Sequence, residues 1–467
     1  MATTTKEQAQ ATSTEERGLN KRDAFATGLG VLVATIGSAV GLGNIWKFPS
    51  LTGQNGGAAF IIVYVLCTVL VGLPVMISEH MIGRTARKDA VNSLREVAPK
   101  GQPWWLIGAA GGLSAFLIMA FYSSVAGWVF AYAFKGITGS ILSTDPAVTS
   151  QNFGSLTTSS WEVLFWQWLV LVWVGVIIVM GVAKGIERTT KRLMPLLFVL
   201  LLIVCIRSLT LDGAGDGIEF LLKPDFSKLT GSVVLAAMGL AFFKLSVGMG
   251  TMITYGSYFK DEQNIPMTAT KVMLADLSIS LLAGLAIFPA VFAFGFNVDA
   301  GPSLLFITIP AVFASMPGGS VFVVLFFVLT AIAATGAMLS IVEVPVAYLT
   351  GQFNMQRRNA TILTLVLLAI MGAPAALSFG ELSDFTIAGK TVFDLYDYAT
   401  SNVLLPIGGL FLCIFVGWVW GFGAVERALT NRGTLSNART IRFFFMVVKY
   451  ITPPLVLLVL LDGLNVI

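Results

Sequence analysis

The sequence predicts an all-α polytopic membrane protein with eleven transmembrane helices. Of its 467 residues, 56% are hydrophobic and 12% are charged, which is more apolar surface than a water-soluble fold can bury. Apolar runs of about 20 residues recur along the chain, and a helix of that length crosses a hydrocarbon core about 30 Å thick. Glycine clusters interrupt the first and the sixth of these runs. Because backbone groups in lipid must bond within their own segment, repeated runs favour a helical bundle over a barrel.

Eleven apolar runs define the predicted spans, which are numbered 1 to 11 along the chain. They cover residues 24–46, 56–83, 104–135, 161–182, 191–209, 230–257, 267–296, 319–350, 360–379, 400–423 and 438–462. The two interrupted runs, spans 1 and 6, lie five spans apart. This spacing suits two halves of five helices each, followed by span 11.

The loop cations predict how the chain sits in the membrane. The loop between spans 2 and 3 holds Arg84, Arg87, Lys88, Arg95 and Lys100, whereas residues 138–160 and 297–318 hold no lysine or arginine. Cytoplasmic loops carry the excess of these residues in membrane proteins. We therefore expect a multi-pass protein of the cell inner (plasma) membrane, with a cytoplasmic amino terminus and a carboxyl terminus outside.

The remaining composition narrows the domains and the partners. Residues 1–22 are polar and are predicted to form a disordered cytoplasmic tail, while 23–467 form a single transmembrane domain. Cysteines 67, 205 and 413 lie in apolar runs, so neither a disulfide nor a metal framework is expected, and no cofactor is. The cations sit in short loops, and no nucleic-acid partner is expected. The lipid bilayer and a small solute are the expected partners.

Spans 1 and 6 contain helix-breaking stretches. Span 1 reads "ATIGSAVGLGNIWKFP", with three glycines in seven residues, and span 6 reads "AFFKLSVGMGTMITY". Glycine weakens a helix by about 1 kcal/mol relative to alanine, although in membranes it also marks close helix packing. Such clusters in corresponding spans of two halves predict discontinuous helices beside a binding site at mid-membrane.

An unwound turn can bind a zwitterion without charged side chains. Free N–H groups on one half-helix attract a carboxylate, and free C=O groups on the other attract a cation. An amino acid could therefore dock on the backbone of the two breaks.

The chain resembles the neurotransmitter:sodium symporters. The resemblance rests on "GSAVGLGNIWKFP", "NGGAAFIIVYVL", "GLPVMISEHMIGR", "AFYSSVAGW", "AFFKLSVGMGTMITYGSY" and "FDLYDYATSNVLLPIGG". It covers nearly the whole chain from about residue 20, and eleven spans are similar to the bacterial amino-acid transporter branch. It implies a LeuT-like fold, in which spans 1–5 and 6–10 form inverted repeats, and it implies transport by alternating access.

The resemblance also implies a substrate site. Its residues would be Ser38, Ala39, Gly41, Leu42, Gly43, Ile118, Tyr122, Val125, Phe243, Leu245, Ser246, Met249, Ala337 and Ile341. The side-chain part of this set is apolar, which favours a hydrophobic or aromatic amino acid. Gly41 stands where amine-transporting members carry an aspartate, so the resemblance implies an amino acid rather than a monoamine.

Gates are implied on both sides of that site. Lys47 and Asp397 would close the outer side above Tyr122 and Phe243. Arg22 and Phe25 match the family's inner-gate positions. The acidic partner of that inner gate, however, falls on Gly351.

The first sodium site departs from the family pattern. Asn44 is retained, but Lys244 takes the position of a hydroxyl ligand and Asp276 that of an amide ligand. One such charge at mid-membrane costs at least a few kcal/mol, whereas together they can form an ion pair. We therefore predict that the Lys244 ammonium replaces the sodium ion and that its partners include carbonyls of the unwound helix. The alternative is a structural pair without a role in coupling.

Two further ion sites are also altered. Of the family's chloride ligands, Tyr64 and Ser280 remain, while Leu240 replaces a glutamine. At the second sodium site the span-8 hydroxyl ligands fall on Gly336 and Ala337. A weak site could still form from the carbonyls of Gly37, Val40 and Ala333, with Thr335 if the register shifts by one residue.

These observations predict an amino-acid transporter that is sodium-independent or proton-coupled, since a buried Lys–Asp pair can titrate as a unit. One alternative is a sodium-coupled symporter that uses the weakened second site. Another is a sensor that binds substrate without transporting it. An enzyme is not expected, because the only histidine, His80, lies beside Glu79 without a catalytic cluster and is better explained by a satisfied buried pair or by packing. The sequence does not predict which amino acid is bound or the oligomeric state.

Overall fold

The structure is a computed structural model, and it describes residues 23–298, 304–431, 433–435 and 437–466. The predicted tail, 1–22, lies outside the described residues. Secondary structure in the described part is helical, apart from one isolated bridge between Ile387 and Lys390.

Helices occupy all eleven predicted span positions. In chain order they are Gly28–Ala39 with Gly43–Gln54 (span 1), Ala58–Ala86, Trp105–Ile137, Ser160–Val179, Val182–Leu209, Gly231–Lys244 with Thr251–Gly256 (span 6), Ile265–Ala293, Gly319–Phe353, Arg357–Phe379, Val392–Leu429 and Ala438–Gly463. Nine of these described units are long and apolar enough to cross a membrane, and the bent first pair makes a tenth. Each of the two helices of span 6 is too short to cross a membrane by itself. The count of eleven crossings therefore remains a prediction.

Shorter helices lie between the spans. They are Ala90–Val97, Pro146–Thr158, Ala214–Leu222, Phe226–Lys228 and Thr308–Ala314. Ala90–Val97 begins at Asp89, whose carboxylate accepts the N–H groups of Val91 and Asn92, as an N-cap residue does.

Both predicted breaks are present. The two halves of span 1 meet at 48°, and Val40 between them is extended at φ −89°, ψ 97°. In span 6 the helix ends at Lys244, and Ser246, Gly248 and Gly250 then adopt positive φ angles of 52°, 80° and 73°. A left-handed residue cannot continue a right-handed helix, which is why glycine occupies two of the three positions.

Spans 3 and 8 form the centre of the bundle. The most apolar window of span 3 is 78% buried and that of span 8 is 67% buried, against 33% for spans 5 and 9. Spans 3 and 8 pack against each other, and span 8 also contacts the first half of span 1. The central helices therefore pack against the interrupted spans, while spans 5 and 9 are largely exposed and available to lipid.

The cation-rich connections meet at one end of the bundle, which we call the basic end. There the Arg84 guanidinium, at the end of span 2, donates to Asn431 after span 10 (2.8 Å). Arg87 pairs with Asp261 after span 6 at 2.5 Å, and Arg357 donates to the Ile178 carbonyl at the end of span 4 (2.7 Å). The other end is called the opposite end.

Candidate functional site

A small central cavity lies between spans 1, 3, 6 and 8. Its free volume is about 20 Å³, which is about the space that one water molecule needs. It is lined by Ser38, Ala39, Gly41, Gly43, Ile118, Tyr122, Phe243, Lys244, Ser246, Met249, Ala337 and Ile341. Eleven of the fourteen predicted substrate residues are in this set. The cavity must widen before it can admit any solute larger than water.

Three predicted residues do not line the cavity. The Leu245 side chain points to span 2, where a Cβ built on Gly72 would lie 2.5 Å from Leu245 Cδ1. Leu42 contributes its backbone, because its N–H donates to the Tyr122 hydroxyl (2.9 Å). Val125 is fully buried in the surrounding core.

Serine hydroxyls connect the two breaks and span 8. Ser38 Oγ donates to Ser340 Oγ (2.8 Å), and Ser246 Oγ donates to the Ser38 carbonyl (2.9 Å). Ser340 donates in turn to the Ala337 carbonyl (2.7 Å). These bonds place polar groups at one end of the cavity, while Ile118, Phe243, Met249 and Ile341 supply apolar walls.

Glycine at position 41 is required by close packing. A Cβ at this residue would lie 2.8 Å from the Ala337 Cβ and 3.0 Å from the Tyr122 hydroxyl. A side chain here would require Ala337 in span 8 or the Tyr122 side chain in span 3 to shift.

The Lys244 ammonium is fully buried and paired. It lies 3.1 Å from Asp276 Oδ2, and both side chains have no exposed surface. The ammonium also donates to the Tyr64 hydroxyl (2.9 Å) and to Ser280 Oγ. Its three partners are side-chain oxygens. The carbonyls of the unwound helix, which we expected as partners, are not among them, because the amine turns toward spans 2 and 7.

Asp276 is held from the other side by Asn44. The Asn44 amide nitrogen donates to Asp276 Oδ1 (2.7 Å), and its side-chain oxygen accepts the Gly41 N–H (3.2 Å). The Tyr64 hydroxyl donates to Asp276 Oδ2 (3.1 Å). Tyr64 and Ser280, predicted as remnants of a chloride site, are thus neighbours of the ion pair, and each carboxylate oxygen already accepts hydrogen bonds.

The candidate second sodium site is closely packed. A Cβ on Gly336 would lie 2.6 Å from the Gly37 carbonyl oxygen, so span 8 rests directly on span 1. Thr335 is turned away: its hydroxyl donates to Ala331 (2.8 Å) and accepts the Trp173 indole N–H from span 4 (3.3 Å). The structure therefore does not bring Thr335 to the Gly37 carbonyl. Val40 in span 1 and Ala333 in span 8 are both fully buried.

The predicted outer-gate residues, Lys47 and Asp397, form an ion pair toward the opposite end. Lys47 Nζ lies 3.1 Å from Asp397 Oδ1 and 3.8 Å from the centre of the Phe243 ring, which lines the cavity. Ser401 Oγ also donates to the Asp397 carboxylate (2.8 Å). This contact links span 1 to span 10 directly over the cavity.

At the basic end the predicted gate residues are only partly described. Arg22 lies outside the described residues. Phe25 is buried, and its ring meets those of Tyr255 and Tyr258 edge-on at 5.5 and 6.0 Å. Gly351 leaves room for the Asp89 carboxylate, because a Cβ built on Gly351 would lie 2.8 Å from Asp89 Oδ2.

A second ion cluster at the basic end was missed by the sequence analysis. Arg357 binds Glu343 of span 8 with both terminal nitrogens, at 2.5 and 3.0 Å, and contacts Asp23 at 3.3 Å. The Tyr258 hydroxyl donates to the same glutamate (2.7 Å). An acid inside an apolar span is itself a signal of function, and Glu343 in "IVEVPV" carries that signal.

Glu79 was also missed as a functional candidate. Its carboxylate accepts the Gly248 N–H at 2.6 Å, so span 2 holds the break of span 6. His80 faces another direction and stacks on Phe259 at 4.8 Å between ring centres, as expected for packing. Neither ring nitrogen of His80 has a hydrogen-bond partner in the part of the chain that the structure describes.

Comparisons with known proteins agree with this geometry. The sodium:neurotransmitter symporter family model matches residues 22–152 and 147–467. The chain is 37% identical to the uncharacterized sodium-dependent transporter YhdH of Bacillus subtilis (strain 168), over 95% of this chain and 98% of that protein. It is 26% identical to the sodium- and chloride-dependent GABA transporter 2 of Rattus norvegicus, over 87% and 74% of the two chains.

A solved structure resembles the whole fold. The crystal structure of MhsT in complex with L-phenylalanine superposes with a TM-score of 0.88 at 41% identity, over 95% of this chain and 100% of that one. The two helix breaks, the central cavity and these matches all indicate the same family, whose members are transporters rather than enzymes. The chain belongs to the sodium:neurotransmitter symporter family.

Proposed function

We propose that this chain transports a hydrophobic or aromatic amino acid by alternating access, and that the Lys244–Asp276 pair takes the place of the first sodium ion. Family membership makes it a multi-pass membrane transporter. The observation that carries the coupling proposal is the buried 3.1 Å ion pair beside the cavity.

The cavity walls support the choice of substrate. The breaks and their serines offer backbone and hydroxyl groups to an amino and a carboxyl group, and the remaining walls are apolar. Among the described residues no acid lines the cavity, so a monoamine would lack a counterion there. MhsT, at 41% identity, binds L-phenylalanine in its crystal structure. An aromatic or aliphatic side chain among Ile118, Phe243, Met249 and Ile341 fits this environment.

The hydrogen bonds around Asp276 argue against a sodium ion at this place. A sodium ion here would have to share its oxygen ligands with hydrogen-bond donors that are already in place. The Asn44 oxygen accepts the Gly41 N–H, and both Asp276 oxygens accept N–H or O–H donors. Two like charges about 4 Å apart repel by roughly 4 kcal/mol at an effective dielectric constant of 20, so the ammonium opposes a second cation. The Lys244 ammonium thus provides the positive charge that a bound sodium ion would otherwise provide.

Contacts at both ends support alternating access. The basic end is taken as cytoplasmic, because cytoplasmic loops carry the excess of lysine and arginine. Lys47–Asp397 then closes the outer side, and Arg357 with Glu343 and Asp23 closes the inner side. Transport would require the two contacts to open in turn. Coupling to protons, or exchange without an ion, fits this arrangement.

A sodium-coupled symporter is the second candidate, and it is favoured by the relatives described as sodium-dependent transporters. In that case the ion would bind at the carbonyls of Gly37, Val40 and Ala333, without Thr335. Gly336 and Ala337 offer no hydroxyl there, so the affinity for sodium would be low. A substrate sensor would share the cavity but would not move solute.

Uptake into proteoliposomes tests the proposal. Radiolabelled phenylalanine or leucine is supplied with sodium, potassium or choline outside, with and without an imposed pH gradient. We expect uptake without sodium and an increase when the gradient drives protons inward. Loss of uptake in every sodium-free condition would contradict the coupling proposal, and binding without uptake or exchange would indicate a sensor.

Variants separate the ion pair from other causes. Lys244→Thr with Asp276→Asn restores the ligand types of the family's first sodium site, and sodium dependence should appear. Each single change should transport less than the double change, because it leaves an unpaired charge or an empty hydrogen-bonding position. Lys88→Thr, at the exposed Lys88–Glu96 pair, is the control and should leave the ion dependence unchanged.

A further inference from the structure

Lys449 is a charged residue inside a span without a counterion in the described chain. It lies eleven residues beyond Ala438, the start of span 11, or about 16 Å along the helix at about 1.5 Å per residue. The ammonium is 5.6 Å from the Trp418 ring centre, 5.4 Å from Tyr450 and 5.8 Å from Phe445. No acidic group pairs with it among residues 23–298, 304–431, 433–435 and 437–466.

Two fully buried charges within the spans have counterions: Lys244 has Asp276, and Glu343 has Arg357. Lys271 of span 7, like Lys449, has no ion pair in the described chain, but it lies only six residues from the start of its helix at Ile265. An unpaired ammonium in hydrocarbon is unfavourable, and such residues in membrane spans mark ligand or ion sites by default. The aromatic rings offset only part of that penalty. The described residues therefore supply no counterion for Lys449, and the surrounding bilayer is where we look for one.

The backbone around Lys449 is shaped to place the amine at the surface between spans 10 and 11. Two π-helical turns, Phe415–Trp420 and Val447–Ile451, face each other here. A Cβ on Gly417 would lie 3.2 Å from the Lys449 Cα, so the lysine stem runs along span 10. Single π-helical turns within α-helices occur frequently at functional sites.

A basic path connects Lys449 to the basic end. Arg442 lies seven residues earlier, which places it on nearly the same side of the helix, and its side chain is exposed. Between and beside these two residues the surface is apolar and exposed: Phe443 is 68%, Met446 54% and Tyr450 62% exposed. A ligand on this surface would meet positive charge toward the basic end and apolar side chains deeper in the bilayer.

We propose that Arg442 and Lys449 bind the phosphate of an anionic phospholipid in the leaflet at the basic end. The lysine reaches back toward the headgroup, as long cationic side chains do in membranes. The acyl chains lie along Met446 and Tyr450. Basic sites at the cytoplasmic ends of membrane helices bind anionic headgroups. A second copy of this chain fits less well, because two such faces would bring cations together.

Lipid retention tests this site. The full chain is reconstituted in nanodiscs of phosphatidylcholine and phosphatidylglycerol, extracted with mild detergent, and the lipid that stays bound is measured by native mass spectrometry. Wild type should retain phosphatidylglycerol preferentially. Lys449→Gln should lower that preference about fivefold, the effect of about one basic residue at an anionic surface, while Lys449→Arg should keep it. Lys271→Gln, an exposed span-7 lysine near the same end, is the control and should also keep it.

Thermal unfolding provides a second measurement that does not depend on transport. In pure phosphatidylcholine the Lys449→Gln variant should unfold at a higher temperature than wild type, because wild type holds an uncompensated charge. In phosphatidylglycerol the order should reverse. The same order in both lipids, or equal retention of phosphatidylglycerol by wild type and Lys449→Gln, would overturn the proposal. So would a change in oligomeric state without a change in bound lipid.

Discussion

At the scale of single residues, Lys244 and Asp276 are compatible with the membrane interior only as a pair. Each side chain is fully buried, and a buried charge left without its partner is strongly destabilising. Tyr64, Ser280 and Asn44 satisfy the remaining donors and acceptors of the pair. The pair is thus a closed polar unit with no net charge, which is what allows it to lie beside an apolar cavity.

The cost of breaking this unit should be non-additive. Lys244→Met or Asp276→Asn alone should lower the free energy of unfolding by about 3–5 kcal/mol. The double variant, Lys244→Met with Asp276→Asn, should lose clearly less free energy of unfolding than the sum of the two single losses, since no unpaired charge remains. Thermal unfolding in nanodiscs measures this. Lys88→Met, at an exposed pair, should cost no more than about 1 kcal/mol, and additive losses at the buried pair would contradict its role as one unit.

Gly41 should be intolerant of even a methyl group. The Cβ of Gly41→Ala would lie 2.8 Å from Ala337 Cβ and 3.0 Å from the Tyr122 hydroxyl. Overpacking of this kind costs about 1–3 kcal/mol. Substrate affinity should therefore fall about 10- to 100-fold in equilibrium binding of labelled amino acid. Gly112→Ala in span 3, where the Cβ would meet nothing within 4 Å, should bind as wild type does.

At the scale of elements, the break in span 6 is held by its neighbours. Span 2 supplies Glu79 to the Gly248 N–H. Span 10 packs so closely that a Cβ on Gly248 would lie 2.7 Å from the Leu405 carbonyl. The left-handed backbone at Gly248 is therefore stabilised by a hydrogen bond to span 2 and enclosed by span 10. This backbone conformation ends the helix beside the cavity.

Two glycines of span 6 should respond oppositely to alanine. Gly248→Ala adds a side chain at φ 80° and a clash with span 10, so it should destabilise the fold by about 2–4 kcal/mol and abolish uptake. Gly239→Ala lies in the helical half with nothing within 4 Å of its Cβ. It should be neutral or stabilise by up to about 1 kcal/mol. Melting temperature and uptake together check both, and normal uptake by Gly248→Ala would show that the break is not required.

At the scale of the whole molecule, the fold was more predictable than the contacts. Apolar length and glycine clusters depend on local sequence, so both breaks and all span positions could be inferred. Residue-by-residue resemblance also located most of the cavity. It could not show that Leu245 turns to span 2, or that Thr335 faces Trp173. Those directions depend on rotamers and helix rotation, which no single segment determines.

The ion cluster at the basic end was missed for a related reason. Asp23 precedes span 1, Glu343 lies in span 8 and Arg357 begins the span-9 helix, and no spacing along the chain links the three. The resemblance directed attention to Arg22 and Gly351, where the family's pair would be. An ion pair can join the same helix ends through different residue positions. Only the three-dimensional packing shows which positions are used.

The two ion contacts should control access to the cavity from opposite sides. A cysteine at Ile341, which lines the cavity, reports access to a membrane-impermeant thiol reagent, since the three native cysteines are buried. Glu343→Gln should raise its labelling from the basic end about tenfold, which corresponds to a shift of about 1.4 kcal/mol toward an open inner side. Asp397→Asn should raise labelling from the opposite end instead.

Controls decide whether these changes reflect gating. Glu96→Gln breaks an exposed pair at the basic end and should leave labelling of the Ile341→Cys reporter unchanged. Reversing the inner charges with Asp23→Arg and Arg357→Asp should restore part of the closure lost in Arg357→Asp alone, although Glu343 then faces a carboxylate and limits the recovery. If Glu343→Gln increased labelling from both ends equally, the cluster would hold the bundle together rather than gate it. Because the gates lie at opposite ends of the same cavity, only side-specific labelling is consistent with alternating access.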